Sequence, residues 1–483
     1  MRTLFSVLLF FSLTSSLLEA SSGQKTLTQR LNSIFKNKKL KNTKISVDVT
    51  SLKTSEELYS MNRDLALSPA SSIKVLTAWV ALNKFGPEHV FYTQIYTSGL
   101  LKNGVLEGDL YLKGGGDPSL VSERMHLLAE EIYTKGIHSI TGNIYVDESY
   151  FDSEYFDPNR IKSDKQRAYN SPINGLSFNY NTITVSYAPT SPGKKLKVNV
   201  VPNTGYVKLE NTANTSSSKS KYSLQASRIK QDGHDLIRIS KNFPSRFKGK
   251  KQYFSATQPD VFAGRALKYY LNQFGVSILG GVQKKRAPSS ANKFLKFPSL
   301  ALREIVVLMN KYSSNFIADT LVKHLGKSFG SSGPQTASGL SVLKNELLKN
   351  GITGAESAEI FSGSGLTRIN KISSATLTSI FLKAHKKFVV FPELMASLPL
   401  AAKDGTLKSR MKGTTAERVL RAKTGTISGV IALAGVVRSQ GGELLAFSVL
   451  MNDNSSEPAS SLPWHNRLGE ALANFNRNTE VNK

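Results

Sequence analysis

A serine hydroxyl with an amine beside it can act as an acyl-transfer nucleophile, and the stretch PASSIKVLTAWVALNKFG sets Ser71 and Lys74 three positions apart. On a helix those positions share a face, so the lysine can take the serine's proton. The spacing alone singles out nothing, because Ser-x-x-Lys recurs ten times elsewhere, from Ser22/Lys25 to Ser409/Lys412. Two further groups narrow the choice. Ser313-Ser314-Asn315 stands in the apolar helical run MNKYSSNFIADTL, and Lys423-Thr424-Gly425-Thr426 leads into a strand-like segment. Other Ser-x-Asn triplets precede Ser71 (at Ser60), fall in a β-rich stretch (at Ser177 and Ser240) or in a basic link (at Ser290), and Lys-Thr-Gly occurs once.

Ser-x-x-Lys, Ser-x-Asn and Lys-Thr-Gly in this order form the signature of serine enzymes that bind penicillin. Each residue type has a task. Ser71 attacks a carbonyl and a neutral Lys74 accepts its proton, which requires that burial and nearby cations depress the lysine's pKa. Ser313 relays a proton to the leaving amine, and Asn315 holds Lys74 and the substrate amide. Lys423 supplies positive charge for a terminal carboxylate, flanked by the hydroxyls of Thr424 and Thr426. An edge strand through Lys423, Thr424, Gly425 and Thr426 lets a substrate add as a further strand, with the N–H groups of Ser71 and Thr426 as oxyanion hole.

Other schemes lack their residues. There is no Gly-x-Ser-x-Gly, no His-Glu-x-x-His and no cysteine, and the seven histidines are scattered. Gly326-Lys327-Ser328 lacks the upstream glycine of a phosphate loop, and Gly114-Gly115-Gly116 reads as a turn. Neither a metal nor an organic cofactor is expected.

The elements that must hold these groups follow from hydrophobic periodicity. Leu76, Trp79, Val80 and Leu82 mark an amphipathic helix from Pro69 to Gly86. Ahead of it, residues 21 to 43 carry a first helix, and Ile45–Val49 with Leu58–Met61 read as a strand hairpin. From about residue 93 the texture changes to strands around glycine turns, such as Gly104 to Leu112, with helices at Leu120–Lys135 and Val261–Phe274. A short strand is expected at Ile278–Val282. Alternating runs between 176 and 250 read as a small all-β module, and the low-complexity Asn211–Lys221 as a mobile loop. Helices return over Ala301–Leu325 and Ser338–Lys349. Val430–Val437 and Leu444–Met451 then form a hairpin about Gly441-Gly442, and a helix over Leu462–Phe475 closes the chain. The expected organisation is a signal peptide at 1–20, a split α/β (α+β) catalytic domain at 21–92 and 293–483, an inserted mixed α/β domain at 93–175 and 251–292, and the β-rich domain at 176–250 nested within it.

Composition sets the surroundings. The chain has 483 residues, 40% of them hydrophobic, enough for two or three cored domains. Arg2 followed by the apolar run Leu4–Leu18 and Ala20 has the form of a secretory signal, too short to span a bilayer. Export to the periplasm is expected. Lys+Arg 63 against Asp+Glu 35 gives a net charge of +28. In an exported protein that charge suits anionic envelope polymers or a membrane surface, not nucleic acid; a merely solubilising basic surface is the other reading.

The chain resembles the type-4 penicillin-binding proteins, the D-alanyl-D-alanine carboxypeptidases and endopeptidases of peptidase family S13. The resemblance covers nearly all of it, through PASSIK, GVLEGDLYLKGGGDPSL, GNIYVDESYF, SNFIADTL, GSGLTRIN, LPLAAKDGTLKSRM, AKTGTISGV and ALAGVV. It implies a penicillin-recognising, β-lactamase-like serine transpeptidase fold interrupted after the nucleophile helix. It also implies hydrolysis of D-alanine bonds in peptidoglycan stem peptides through an acyl-enzyme on Ser71, with β-lactams as covalent inhibitors. A non-catalytic wall-binding scaffold and a β-lactamase are the alternatives. The family's first accessory domain lends an aspartate that meets a free amine of the stem peptide. Asp164 matches it by position, although the tryptophan usual two residues earlier is Lys162 here. Ser362 stands where an aspartate usually precedes GSGLTR.

Overall fold

The computed structural model describes residues 23–160, 166–453 and 462–477. Residues 1–20, assigned above to a signal peptide, lie outside them, as do Lys162 and Asp164.

One antiparallel sheet joins the two ends of the chain. Its strands run in the order Glu57–Met61, Lys44–Ser51, Leu444–Asn452, Val430–Arg438, Leu420–Ile427. Lys44 lies opposite Asn452 and Ser51 opposite Leu445. The strand carrying Lys423 to Thr426 is therefore an outer strand, as the sequence required. Along Val430–Arg438 side chains alternate between two cores. Ala432, Ala434 and Val436 face the core around Trp79, while Leu433 and Val437 face the one around Leu31 and Trp464. Alanines on the first face let the nucleophile helix come close.

That helix, Lys74–Phe85, has nine residues buried in succession, Lys74 to Leu82. Burial all round marks it as the central helix of its layer, more enclosed than an amphipathic stripe requires. Thr77, on the side without large apolar groups, donates to the Gly363 carbonyl at 2.8 Å. Gly86, at φ 84, ends the helix.

The expected helical run over Ala301–Leu325 is broken in two, Leu302–Lys311 and Asn315–Phe329. The break is a helix C-terminus in which the Ser314 N–H donates to the Met309 carbonyl at 2.9 Å and Ser313 takes φ 56. Glycine usually fills that position, since a side chain there is strained. The Ser314 hydroxyl then caps the next helix by accepting from the Ile317 N–H at 3.2 Å.

Between the two halves of the terminal sheet the chain builds a five-stranded sheet in the order Val282–Lys284, Ile144–Asp147, Leu110–Lys113, Tyr92–Thr97, Asn292–Pro298. The outgoing strand Tyr92–Thr97 pairs antiparallel with the returning Asn292–Pro298. Where single strands were expected at Gly104–Leu112 and Ile278–Val282, each divides between this sheet and a second one of four strands. The division follows a row of glycines. A Cβ on Gly99, Gly108, Gly142 or Gly280 would approach a carbonyl oxygen of a neighbouring segment to 2.0, 1.9, 2.5 and 2.2 Å respectively.

Residues 182–255 form small sheets, as read. Part of the expected loop at Asn211–Lys221 is instead a strand, Asn214–Ser216, paired with Asn242–Pro244. Thr215 is buried there and accepts from the Thr190 N–H. The mixed sheet and the β-rich part share one continuous apolar cluster, from Ile95 and Leu112 through Phe178 to Val185 and Ile237. Against the catalytic layer, Gly116 leaves room for the buried His324, whose ring stacks on Phe91 at 3.8 Å. Among the described residues no helix is long and apolar enough to cross a membrane.

Candidate active site

Ser71 sits in the 3-10 turn Ala70–Ile73 that opens into the nucleophile helix. Ala70 adopts φ 44, a left-handed conformation that costs an alanine about 1 kcal/mol or more. Two glycines close on this turn. A Cβ on Gly365 would lie 2.0 Å from the Ala70 carbonyl oxygen. One on Gly425 would lie 2.5 Å from the Pro69 oxygen and 3.1 Å from the Ser71 nitrogen. Gly425 must lack a side chain for the strand Leu420–Ile427 to lie against this turn, and Gly365 for its own segment to do so.

Lys74 is fully buried. Its ammonium donates to Ser71 Oγ at 3.0 Å, to Asn315 Oδ1 at 2.8 Å and to the Ser364 carbonyl at 2.5 Å. Burial pulls its pKa down to about 7; Asp319 works in the opposite direction and Arg160 adds to the depression. At neutral pH a large share of Lys74 is therefore unprotonated, the state in which it can take a proton.

Across the cleft, Lys423 Nζ donates to Ser313 Oγ and to the Thr424 carbonyl, each at 2.8 Å. Lys423 is also fully buried, and its pKa is pushed well below the usual lysine value by burial and by Lys74. Thr424 donates to Thr406 Oγ1 at 2.7 Å, and Thr426 is exposed on the outer strand. Ser71, Lys74, Ser313, Asn315 and Lys423, drawn from three separate stretches, thus fall into two hydrogen-bonded groups, Ser71 with Lys74 and Asn315, and Ser313 with Lys423, close enough that Lys74 lowers the Lys423 pKa. Thr424, Gly425 and Thr426 flank them, and Asp164 lies outside the described residues. Among the described residues no group of His, Cys, Asp and Glu has the arrangement of a metal site.

The sequence model of the D-Ala-D-Ala carboxypeptidase 3 (S13) family matches residues 27–467, which include every member of both groups. The chain belongs to that family. Two S13 relatives are D-alanyl-D-alanine carboxypeptidases. One, from Actinomadura sp. (strain R39), is 32% identical over 456 residues, covering 91% of this chain and 84% of the relative. The other, from Haemophilus influenzae, is 27% identical over 391 residues, covering 80% and 81%. Among solved structures, penicillin binding protein 4 of Haemophilus influenzae superposes with TM-score 0.77 at 24% identity, covering 92% of this chain and 98% of that one. A predatory peptidoglycan endopeptidase from Bdellovibrio bacteriovorus superposes with TM-score 0.53 at 16% identity, covering 90% and 94%. The fold is that of the penicillin-recognising serine hydrolases, mixed α/β with several sheets.

Several groups around this S13 cluster escape a reading of motifs. Asp319 stands four residues after Asn315 on one helix face, and that spacing is a signal within SNFIADTL. Its partner Arg160, at 2.5 Å, comes from within the insertion, and no local pattern announces it. Arg160 also donates to Asn170 Oδ1 and the Ser171 carbonyl. Asp157, buried near Asp319, has its pKa pushed up to about 6 by burial and by that carboxylate. The Ser362 hydroxyl reaches Asp157 and lies 3.1 Å from Ser364 Oγ. A carboxylate at 362 would face Asp157, so serine spares this buried corner a further negative charge. From the insertion, the Tyr169 carbonyl accepts from Asn315 Nδ2 at 3.1 Å and helps aim that side chain.

Proposed function

We propose that this protein is a serine DD-peptidase that hydrolyses D-alanine peptide bonds of peptidoglycan stem peptides through an acyl-enzyme on Ser71. The observation that carries the reading is the 3.0 Å contact between Ser71 Oγ and a fully buried Lys74 whose pKa is depressed to about 7. Neutral Lys74 takes the Ser71 proton as Oγ attacks the carbonyl. The N–H groups of Ser71 and Thr426 receive the developing oxyanion. Ser313, polarised by Lys423, gives its proton to the leaving amine as the C–N bond breaks and is reprotonated by the proton Lys74 took, which leaves Lys74 neutral for the next step. Water then cleaves the ester, its proton returning through Lys74. Lys423 with Thr424 and Thr426 holds the substrate carboxylate, Gly425 lets the strand close on Ser71, and Asp164 meets a stem-peptide amine.

The catalytic unit is read as 21–92 with 293–483, and the insertion as the part that shapes substrate choice. Residues 1–20 direct export to the periplasm, and the basic surface attracts anionic envelope polymers or a membrane surface. The amino-terminal sequence of protein recovered from the cell envelope tests export. Retention on anionic vesicles, measured against salt, tests the surface.

A fluorescent penicillin tests the chemistry. Covalent label on the wild type, absent from Ser71→Ala and slow to leave, is expected. No label on the wild type would make the chain a wall-binding scaffold, and rapid release would make it a β-lactamase.

A further inference from the structure

The nucleophile helix starts beside Ser71 and runs for 12 residues, about 18 Å, to Phe85. At that far end Asn83 Oδ1 accepts from Lys387 Nζ at 2.7 Å, which seats the turn between the helices Ser374–His385 and Phe391–Ser397 against it. The turn leads through four consecutive apolar residues, Phe388-Val389-Val390-Phe391. The last two serve the fold. Val390 is buried, Phe391 packs edge-on against the His385 ring at 4.9 Å, and the Lys387 carbonyl accepts from both their N–H groups, at 3.0 and 2.9 Å. The first two are left outside. Phe388 is 89% exposed, more than any other large apolar side chain among the described residues, and Val389 is 64% exposed.

Single exposed apolar side chains are ordinary on a protein surface. Here two adjacent ones form the tip of a turn whose backbone is hydrogen-bonded in place, and cations surround them. Lys383 ends the preceding helix, Lys386 and Lys387 follow it, and the chain has no Asp or Glu between Glu359 and Glu393. Acids near this end of the helix have partners of their own. Glu346 is held by Lys84 at 3.4 Å, Glu88 is paired with Arg303, and Glu393 lies close to the same arginine. A polyanion in water would engage the lysines and leave the phenylalanine ring exposed; an anionic lipid surface takes up both.

We propose that Phe388 and Val389, flanked by Lys383, Lys386 and Lys387, are a docking tip that enters the interface of an anionic phospholipid bilayer. The ring and the valine sink among the acyl-chain ends while the lysines remain at the headgroup phosphates. Docking by this end holds the molecule at the membrane through the part of the catalytic unit farthest along the helix from Ser71, so the cleft stays clear of lipid and open to the wall polymer. The proposal rests on the reading that the basic surface attracts a membrane, and it narrows that reading to one turn and adds an apolar contact to the charge.

The test compares wild type with Phe388→Ser/Val389→Ser and with Lys386→Glu/Lys387→Glu, prepared alike so that any contribution of the amino terminus cancels. Partition is measured onto vesicles of phosphatidylglycerol mixed with phosphatidylcholine and onto phosphatidylcholine alone. Both double variants should bind the anionic vesicles about tenfold more weakly, and the lysine variant should also lose most of its salt dependence. Trp79 and Trp464 are the only tryptophans and are buried, so emission from Phe388→Trp reports on the tip. It should shift to the blue on anionic vesicles and stay unmoved with inorganic polyphosphate. Equal partition of wild type and Phe388→Ser/Val389→Ser, or an unshifted emission, overturns the tip and leaves attraction by general charge standing. Wild type that binds no anionic vesicle removes both readings. Penicillin labelling in solution should be equal in all these proteins; label lost from the double variants would mark disturbed folding, and the Phe388→Trp emission then decides alone.

Discussion

Arg160 and Asp319 meet at 2.5 Å with both side chains almost entirely buried, linking the inserted part of the chain to the helix that carries Asn315. The pair has opposite effects on the catalytic base: Asp319 favours charged Lys74 and Arg160 disfavours it. An insertion distant in sequence thereby contributes to the proton affinity of Lys74, the proposed general base.

Removing either partner should shift the pH dependence of acylation in opposite directions. Acylation needs neutral Lys74, so the wild-type rate should rise with pH through about 7. In Asp319→Asn the rise should move to lower pH, and in Arg160→Met to higher pH. Rates of β-lactam acylation between pH 5 and 9, on protein first shown to be folded, decide this. Arg160→Met should also cost about 3–5 kcal/mol, because it leaves a buried carboxylate unpaired. Movement of both profiles in the same direction would exclude an electrostatic role.

Lys74→Met should abolish penicillin labelling and reveal what the buried amine costs the fold. With a folded-state pKa of about 7 against the ordinary lysine value of 10.5, the unfolded chain binds a proton here that the folded chain lacks throughout the interval. Wild-type stability therefore gains with pH across that window, while below about 7 both states hold the proton and the term is constant. The stability of Lys74→Met relative to wild type should fall as pH rises from about 7 towards 10.5. Denaturant titrations at three pH values measure it.

Lys423→Ala should weaken acylation by carboxylate-bearing substrates far more than it disturbs folding. The lysine is fully buried and its charged form is disfavoured, so its loss relieves a desolvation cost while Ser313 loses a donor. Thermal unfolding and acylation rates, read on one preparation, should separate. A collapse of the unfolding temperature with acylation per folded molecule intact would make Lys423 structural.

Gly425→Ala should reduce acylation by about 10²-fold, the size of effect seen when an oxyanion donor is lost. The added methyl would meet the Pro69 oxygen at 2.5 Å and push the strand off the Ser71 N–H. Thr424→Ala, which removes the bond to Thr406 and a hydroxyl assigned to the substrate carboxylate but adds nothing against Pro69, should lose less, and mainly through substrate binding. Equal rates in the two variants would show that strand closure on Ser71 does not limit the chemistry.

Much of the site was legible because each motif is local. Ser71 with Lys74, Ser313 with Asn315, and Lys423 through Thr426 are each fixed by neighbours within a turn of helix or a few strand residues. The two later motifs and the helix start at Pro69 singled out Ser71 and Lys74 among the Ser-x-x-Lys pairs; chain order alone excludes only Ser341/Lys344 and Ser409/Lys412, which follow Ser313. The terminal strands, the nucleophile helix and the last hairpin were legible for the same reason: apolar periodicity and turn residues act over short distances. The break at Ser313 was not. MNKYSSNFIADTL has helical periodicity throughout, and only the surrounding packing holds a serine at φ 56. Nor could periodicity reveal that the strands at 104–112 and 277–284 divide between two sheets along a row of glycines.

The sequence by itself thus determined the candidate side chains for the proposed chemistry and the class of fold in which they sit. Tertiary structure decided how that chemistry is tuned. The pKa of Lys74 depends on complete burial and on Arg160 and Asp319, brought together across 159 positions. The approach of the outer strand to the Ser71 turn depends on Gly425, which packs against it from a distant segment. Burial, close approach and buried charge pairing are properties of how distant segments pack, and spacing along the chain does not encode them.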